Sequence, residues 1–126
     1  MLYQVTAKLR VETASELWRQ LDSGAIAAQE PDGEEIVASL NRASVVSGTH
    51  VVQWSEMCFC NPPLAHERTA ILDRYFDAFT TKPIENYQQC EGESFLEYLR
   101  RLSSNHDWAA NIAGLVTHLP IRAAVE

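Results

Sequence analysis

The chain has 126 residues and a formal net charge of −7, from 17 acidic and 10 basic residues. Its length is that of one ordinary domain, and its 46% apolar and 21% charged residues are typical of globular rather than disordered proteins. The acidic balance argues against direct binding to nucleic acid or to an anionic membrane, because phosphate recognition needs clustered Lys and Arg. Since no membrane-spanning apolar run and no signal-peptide pattern occur, we expect a cytoplasmic protein with three free cysteines.

The first half of the chain predicts a strand, a helix and a β-hairpin. Apolar and polar residues alternate over residues 3–11, which is typical of a half-buried strand. Apolar residues at helical spacing follow over residues 14–21. Alternation over residues 36–46 and a Val-, Trp- and Phe-rich run over 51–59 predict two strands, joined by a turn that contains Gly48.

The second half of the chain is predicted to be mainly helical. Asn61 has the character of an N-cap, and apolar residues at helical spacing from Leu64 to Phe79 predict a second helix. Residues 84–89 are a weak candidate for a fourth strand after Pro83. A third helix is predicted from Phe95 onward and a last one over residues 105–119.

The order of these elements is that of a ferredoxin-like α+β fold, βαββα(β). We expect one domain over residues 1–126, with an antiparallel sheet in residues 1–90, helices on one of its faces, and C-terminal helices in 91–126. The apolar residues of the predicted hairpin do not sort onto one face. Part of the second face is therefore expected to be covered, by the last helix or by a second subunit in a homodimer.

Two cysteines and a histidine lie close together in the sequence at the predicted strand-to-helix junction. Cys58 and Cys60 would point to the same face of a strand, and His66 would lie early in the next helix. Zn²⁺ prefers such ligands, with Cys90 or water as the fourth. In a common zinc signature, however, about two to four residues lie between the cysteines, whereas only Phe59 lies between Cys58 and Cys60. Buried, structural cysteines explain the pattern better, and our default expectation is no metal and no cofactor.

A reactive thiol is the third interpretation of this junction. Cys60 precedes the predicted N-cap Asn61, where a helix dipole would favour thiolate, and His66 would be available as a base. Glu56 lies on the same predicted strand face as Trp54 and Cys58. If that face were buried, the pKa of Glu56 would rise and the residue would become a candidate catalytic acid. We expect the face to be solvated and Glu56 to be ordinary.

Aromatic residues offer weak candidates for a ligand pocket, namely Trp54, Trp18 and Tyr75, although core packing is the better explanation for them. No strong catalytic motif is present. The leading expectation is a small oligomeric binding protein for an apolar ligand or a protein partner. The alternative is a thiol- or metal-dependent enzyme that uses the Cys58–Cys60/His66 junction. A third hypothesis is an acidic inhibitor that mimics nucleic acid.

Overall fold

A computed structural model describes residues 1–88 and 90–104 of the chain. This part is mixed α+β, with a five-stranded antiparallel sheet and four helices. In chain order the elements are β1 (Leu2–Leu9), α1 (Ala14–Asp22), α2 (Gly33–Arg42), β2 (Ser44–Val45), β3 (Val51–Met57), α3 (Ala65–Ala70), β4 (Phe76–Pro83), β5 (Glu93–Ser94) and α4 (95–104).

The sheet has the strand order β4-β1-β3-β2-β5. The predicted first strand lies within it as β1, which pairs antiparallel with both β3 and β4. Because β1 and β3 run in opposite directions, the C-terminal end of β3 lies beside the start of the chain, and Leu2 faces Met57. The amino group of Met1 extends this pairing by donating to the Cys58 carbonyl at 3.1 Å. The pairing fixes the backbone just after β3, where the two cysteines lie.

The helices and one face of the sheet share one hydrophobic core. Period-2 alternation directs Val5, Ala7 and Leu9 of β1 inward, and the same holds for Val52 and Trp54 of β3. The helices contribute Leu17, Ile36, Leu40, Phe95 and Leu99 to this core. None of the helices within the described residues is long and apolar enough to cross a membrane.

The second face of the sheet is partly covered, but not by either of the two expected elements: the last helix lies outside the described residues and a second subunit stays a prediction. The cover within the described residues comes from the segment after β4. Ser55 of β3 donates its hydroxyl to the Gln88 carbonyl at 3.2 Å and accepts the Gln88 N–H at 3.0 Å. Next to this contact, the Arg42 guanidinium stacks on the Tyr87 ring, 4.7 Å from its centroid, and donates to the Ser55 carbonyl at 2.8 Å.

The prediction of a long strand over residues 36–46 is wrong. Most of this segment is α2, and only Ser44–Val45 forms a strand. Ile36, Leu40 and Ala43 are buried at i, i+4 and i+7, which is a helical stripe. The same sequence also alternates in hydrophobicity, so the pattern fits both periods. The turn containing Gly48 is confirmed, since it joins β2 to β3.

The prediction of one helix from Leu64 to Phe79 is also wrong. Helix α3 ends at Ala70, a short 3₁₀ turn follows, and the chain then enters β4. The β-branched pair Thr80 and Thr81 favours a strand, and pairing with β1 outweighs the helical spacing of the aromatic residues before it. The fourth strand therefore precedes the predicted one, and residues 84–88 contain none. The third helix is confirmed as α4, while the predicted helix over 105–119 lies outside the described residues.

Candidate metal centre

The C-terminal end of β3 carries a line of buried side chains into the site. Trp54, Glu56 and Cys58 lie on the same face at period 2, and none is more than 3% exposed. The expectation of a solvated face was therefore wrong. Because the strand points this face at the core, a carboxyl and a thiol are held under the helices.

The loop after β3 folds around the Cys58 sulfur. The backbone N–H groups of Cys60 and Leu64 both donate to Cys58 Sγ, each at 3.3 Å. Leu64 has a left-handed backbone (φ 62°) and a fully buried side chain, which fix where α3 begins. The two N–H bonds hold Cys60 beside Cys58 and leave the Cys58 thiol hydrogen directed elsewhere.

Glu67 of α3 completes the cluster. It is 3% exposed, and its Oε2 accepts from the Cys58 thiol at 3.8 Å and from the Cys60 thiol at 3.6 Å. A carboxylate oxygen and the two sulfurs lie within 4.8 Å of one another. Within the described residues, no Lys, Arg or His forms an ion pair with Glu67. The cluster therefore combines three potential metal ligands and a buried acid that lacks a cation.

Glu56, next to this cluster, is a buried carboxyl with a strongly raised pKa. Its pKa is raised to about 8, mainly by burial and also by the negative charges of Glu67 and Glu35, while the Trp54 hydrogen bond opposes the shift. Trp54 Nε1 donates to Glu56 Oε1 at 2.8 Å, whereas Oε2 has no hydrogen-bond partner. An unsatisfied buried carboxyl oxygen is uncommon in native proteins and calls for a physical explanation.

The Cys58 thiol is not a reactive one in the metal-free chain. Burial raises its pKa to about 11, although the N–H bonds from Cys60 and Leu64 lower it. The thiolate hypothesis for Cys60 also loses its physical basis, because α3 begins only at Ala65 and Asn61 is not its N-cap. The local geometry therefore favours ligands over a nucleophile.

A cavity of about 450 Å³ opens onto the two sulfurs. It is lined by Asp32, Glu35, Met57, Cys58, Phe59, Cys60 and Glu67. Phe59 is 87% exposed on its rim, although it lies between two cysteines that are at least partly buried. A small molecule in this cavity would meet sulfur and carboxylate oxygen at its inner end and an aromatic ring at its entrance.

The other two ligands that the sequence suggested lie elsewhere. The exposed His66 contacts the Asp32 carboxylate through Nδ1 and is not part of the sulfur cluster. Cys90 lines a separate cavity of about 540 Å³ that also contacts Ser44, whose hydroxyl donates to the Cys90 carbonyl at 2.9 Å. Burial raises the pKa of the Cys90 thiol.

Sequence reasoning missed Glu67, although a signal was present. Leu64, Glu67 and Ile71 are all buried, at spacings of three and four residues, so the glutamate is the polar member of an otherwise apolar helical stripe. A charged residue in such a stripe needs a partner. The sequence predicts the neighbouring His66 as the ligand instead, and His66 lies on the exposed face of the helix.

The three aromatic candidates for ligand binding belong to the core or lie against it. Trp54 is fully buried, with its ring centroid 5.5 Å from that of Phe76. Tyr75 is 4% exposed, and Trp18 is partly buried against the core. None of them lines the cavity at the sulfurs.

Comparison of the chain with protein-family models, with curated proteins and with solved structures gives no significant match.

Proposed function

We propose that this chain binds a thiophilic divalent cation, first of all Zn²⁺, through Cys58, Cys60 and Glu67. The spacing of the three donor atoms carries the proposal. Tetrahedral zinc with bonds of about 2.3 Å to sulfur and about 2.1 Å to oxygen sets a bound sulfur and oxygen about 3.6 Å apart. Glu67 Oε2 lies 3.6 Å from one sulfur and 3.8 Å from the other. Both sulfur–oxygen distances therefore already suit a cation bound between these atoms.

Charge supports the same proposal. Glu67 is buried without a cationic partner in the described part of the chain, and a buried unpaired carboxylate is costly. The carboxyl of Glu56, with one orphaned oxygen, lowers the local potential further once it ionises. A divalent cation would offset part of the negative charge that Glu67 and the two thiolates would carry.

The backbone around Cys58 is arranged as the surroundings of a metal-bound thiolate usually are. Its sulfur accepts two N–H groups, from Cys60 and Leu64, and such donors stabilise negative charge on the ligand. Because the pKa of the free Cys58 thiol is raised to about 11, metal binding must release its proton. Affinity for the cation should therefore rise with pH.

The site would leave one coordination position open. Three protein ligands account for all the donor atoms in the cluster, and the cavity leads to the sulfurs from outside. Zinc with three protein ligands and an exchangeable fourth position is the arrangement of catalytic rather than structural sites, and it supplies an activated water. We therefore favour a small metal-dependent enzyme, with Glu67 in the place that the sequence gave to His66.

We also infer that the fold is ferredoxin-like. The first four strands have the order β4-β1-β3-β2 with antiparallel neighbours, which supports a βαββαβ arrangement to which β5 adds a short edge. Homodimer formation, a role in binding an apolar ligand or protein, and nucleic-acid mimicry stay predictions.

Native mass spectrometry of protein purified without chelator tests the metal proposal. We expect a mass increase of about one zinc ion per chain. Titration with Co²⁺ of protein that a chelator has freed of metal, with the chelator then removed, should give the intense absorption of thiolate-bound cobalt. Cys60→Ser and Glu67→Gln should weaken binding by about tenfold or more, since each removes one ligand.

Cys90→Ser is the matched control, because it removes a cysteine that lies outside the cluster. It should bind metal like the unaltered chain. A chain that binds no cobalt, or that loses cobalt equally with Cys90→Ser, would overturn the proposal.

A further inference from the structure

We infer that the open position of this site takes a small cationic ligand, an ammonium compound with a metal-binding donor and a short apolar stem. The inference rests on the proposed metal site and concerns the walls of the cavity around it. Three features of those walls carry the inference: the acids Asp32 and Glu35, one exposed aromatic ring, and the absence of a lining base among the described residues.

The titratable residues of the cavity wall other than its two cysteines are all acidic. Asp32 and Glu35 line it together with the ligand Glu67, while no lining residue is Lys, Arg or His. Asp32 contacts His66, and Glu35 Oε1 lies 3.5 Å from Arg42, but neither cation is among the residues that form the wall. Two thiolates and one carboxylate would also exceed the charge of a divalent ion by one. Anionic substrates would therefore be repelled, and cationic ones concentrated.

The aromatic ring at the entrance suits the same ligand. Phe59 is 87% exposed, so a largely solvent-exposed aromatic ring forms part of the cavity wall together with Met57. Aromatic faces attract ammonium groups, and quaternary ammonium ligands are the best-known case. A ligand whose donor reaches the metal would place a cation two or three bonds away between Phe59 and the acids Asp32 and Glu35.

Three thiol probes measure this charge preference on the cobalt-loaded chain. Thiocholine is cationic, 3,3-dimethylbutane-1-thiol is its neutral isostere, and 3-mercaptopropane-1-sulfonate is anionic. All bind through one sulfur, and each should change the visible spectrum of Co²⁺ when it fills the open position. We expect thiocholine to bind about tenfold or more tightly than the sulfonate, since each nearby carboxylate favours a cation several-fold.

Variants of the cavity wall show whether the charge preference comes from the wall or from the different acidity of the three probe thiols. Glu35→Gln should reduce the preference for thiocholine over the sulfonate about threefold or more, because it removes one wall charge and keeps the side-chain shape. Glu34→Gln is the control, since Glu34 is an exposed neighbour on α2 that does not line the cavity. Phe59→Leu should weaken thiocholine several-fold relative to its neutral isostere.

The outcomes are distinct for the two proposals. A chain that takes up no cobalt overturns the metal site and this inference with it. A cobalt-loaded chain that binds the sulfonate as tightly as thiocholine, or whose preference is unchanged by Glu35→Gln, overturns the cationic ligand alone. A preference that falls equally with Glu34→Gln also overturns it, because net charge rather than the cavity would then explain the effect.

Discussion

The Trp54 indole donates its N–H to Oε1 of Glu56 at 2.8 Å, two residues further along the same face of β3. This bond satisfies one carboxyl oxygen inside the core and leaves the other, Oε2, without a partner. A half-satisfied carboxyl in the core favours its neutral form. The state of Glu56 should therefore make the stability of the fold depend on pH.

The metal-free chain should lose stability as pH rises from about 5 to about 8. The pKa of Glu56 is about 8 in the folded chain, above the ordinary value of 4.5 for an unfolded glutamate, with burial as the main cause. In that window the folded state holds the additional proton, so raising the pH favours unfolding. The contribution of Glu56 should fall by about 2–4 kcal/mol across the window.

Urea unfolding at several pH values, with chelator present, measures this effect. Glu56→Gln keeps an acceptor for Trp54 and cannot ionise, so its stability should change less over the same window. Subtracting its curve from that of the unaltered chain isolates Glu56 from other titrating groups. Parallel curves for the two proteins would show that Glu56 does not carry the proton.

Glu67→Gln should separate stability from metal binding. Glu67 is a buried acid without a described cationic partner, so the neutral amide should make the metal-free chain more stable by about 1 kcal/mol at pH 8. Excess zinc should stabilise the unaltered chain by about 2.7 kcal/mol at one hundred times its dissociation constant. Thermal unfolding with and without zinc checks both effects.

The variant should gain less from zinc over the same concentration range, at most about 1.4 kcal/mol, because its binding is weaker by about tenfold or more. Substitution of the exposed neighbour, His66→Gln, should leave the zinc response intact, because His66 contacts Asp32 instead of the cluster. An equal loss of the zinc response in both variants would place the ligand on His66, as the sequence first suggested.

The sequence predicts some of this fold well because local and tertiary preferences agree there. Alternation in β1 meets a partner on each side, and the helical stripe of α4 packs on the core. The sequence-based prediction fails where one hydrophobic pattern fits both the strand period and the helix period. Residues 36–42 satisfy both alternation and helical spacing, and only packing of Ile36 and Leu40 decides between them.

The sequence predicts two of the three clustered residues, and the reason is again whether tertiary information is needed. Cys58 and Cys60 were identified because they are rare residues at close spacing, which needs no tertiary information. Glu67 is nine residues from Cys58, and its role depends on where α3 begins. That start depends on Leu64, whose left-handed backbone is not expected of a leucine and gives no signal in the sequence.

Gly92→Ala tests the pairing of β2 with β5. Gly92 has φ +127°, and a Cβ there would lie 2.2 Å from the Val45 carbonyl oxygen. Because backbone stands in the way, the strands would have to separate, and we expect a loss of about 2–4 kcal/mol in the free energy of unfolding. Gly24→Ala is the control, since Gly24 also has positive φ but open space around it, and it should cost about 1 kcal/mol. Equal losses would mean that the close approach to Val45 does not exist.

Thiol labelling should rank the three cysteines and show which of them hold the metal. Cys58 is 3% exposed and its pKa is about 11, so it should react slowest with iodoacetamide at pH 8 in the metal-free chain. Cys60 and Cys90 are partly exposed and should react first.

Zinc should slow the labelling of Cys60 about tenfold or more and leave that of Cys90 unchanged, because a bound metal occupies the sulfur. Peptide mapping by mass spectrometry gives each rate separately. Protection of Cys90 together with Cys60 would instead mean a global tightening of the fold, and rapid labelling of Cys58 would contradict its burial.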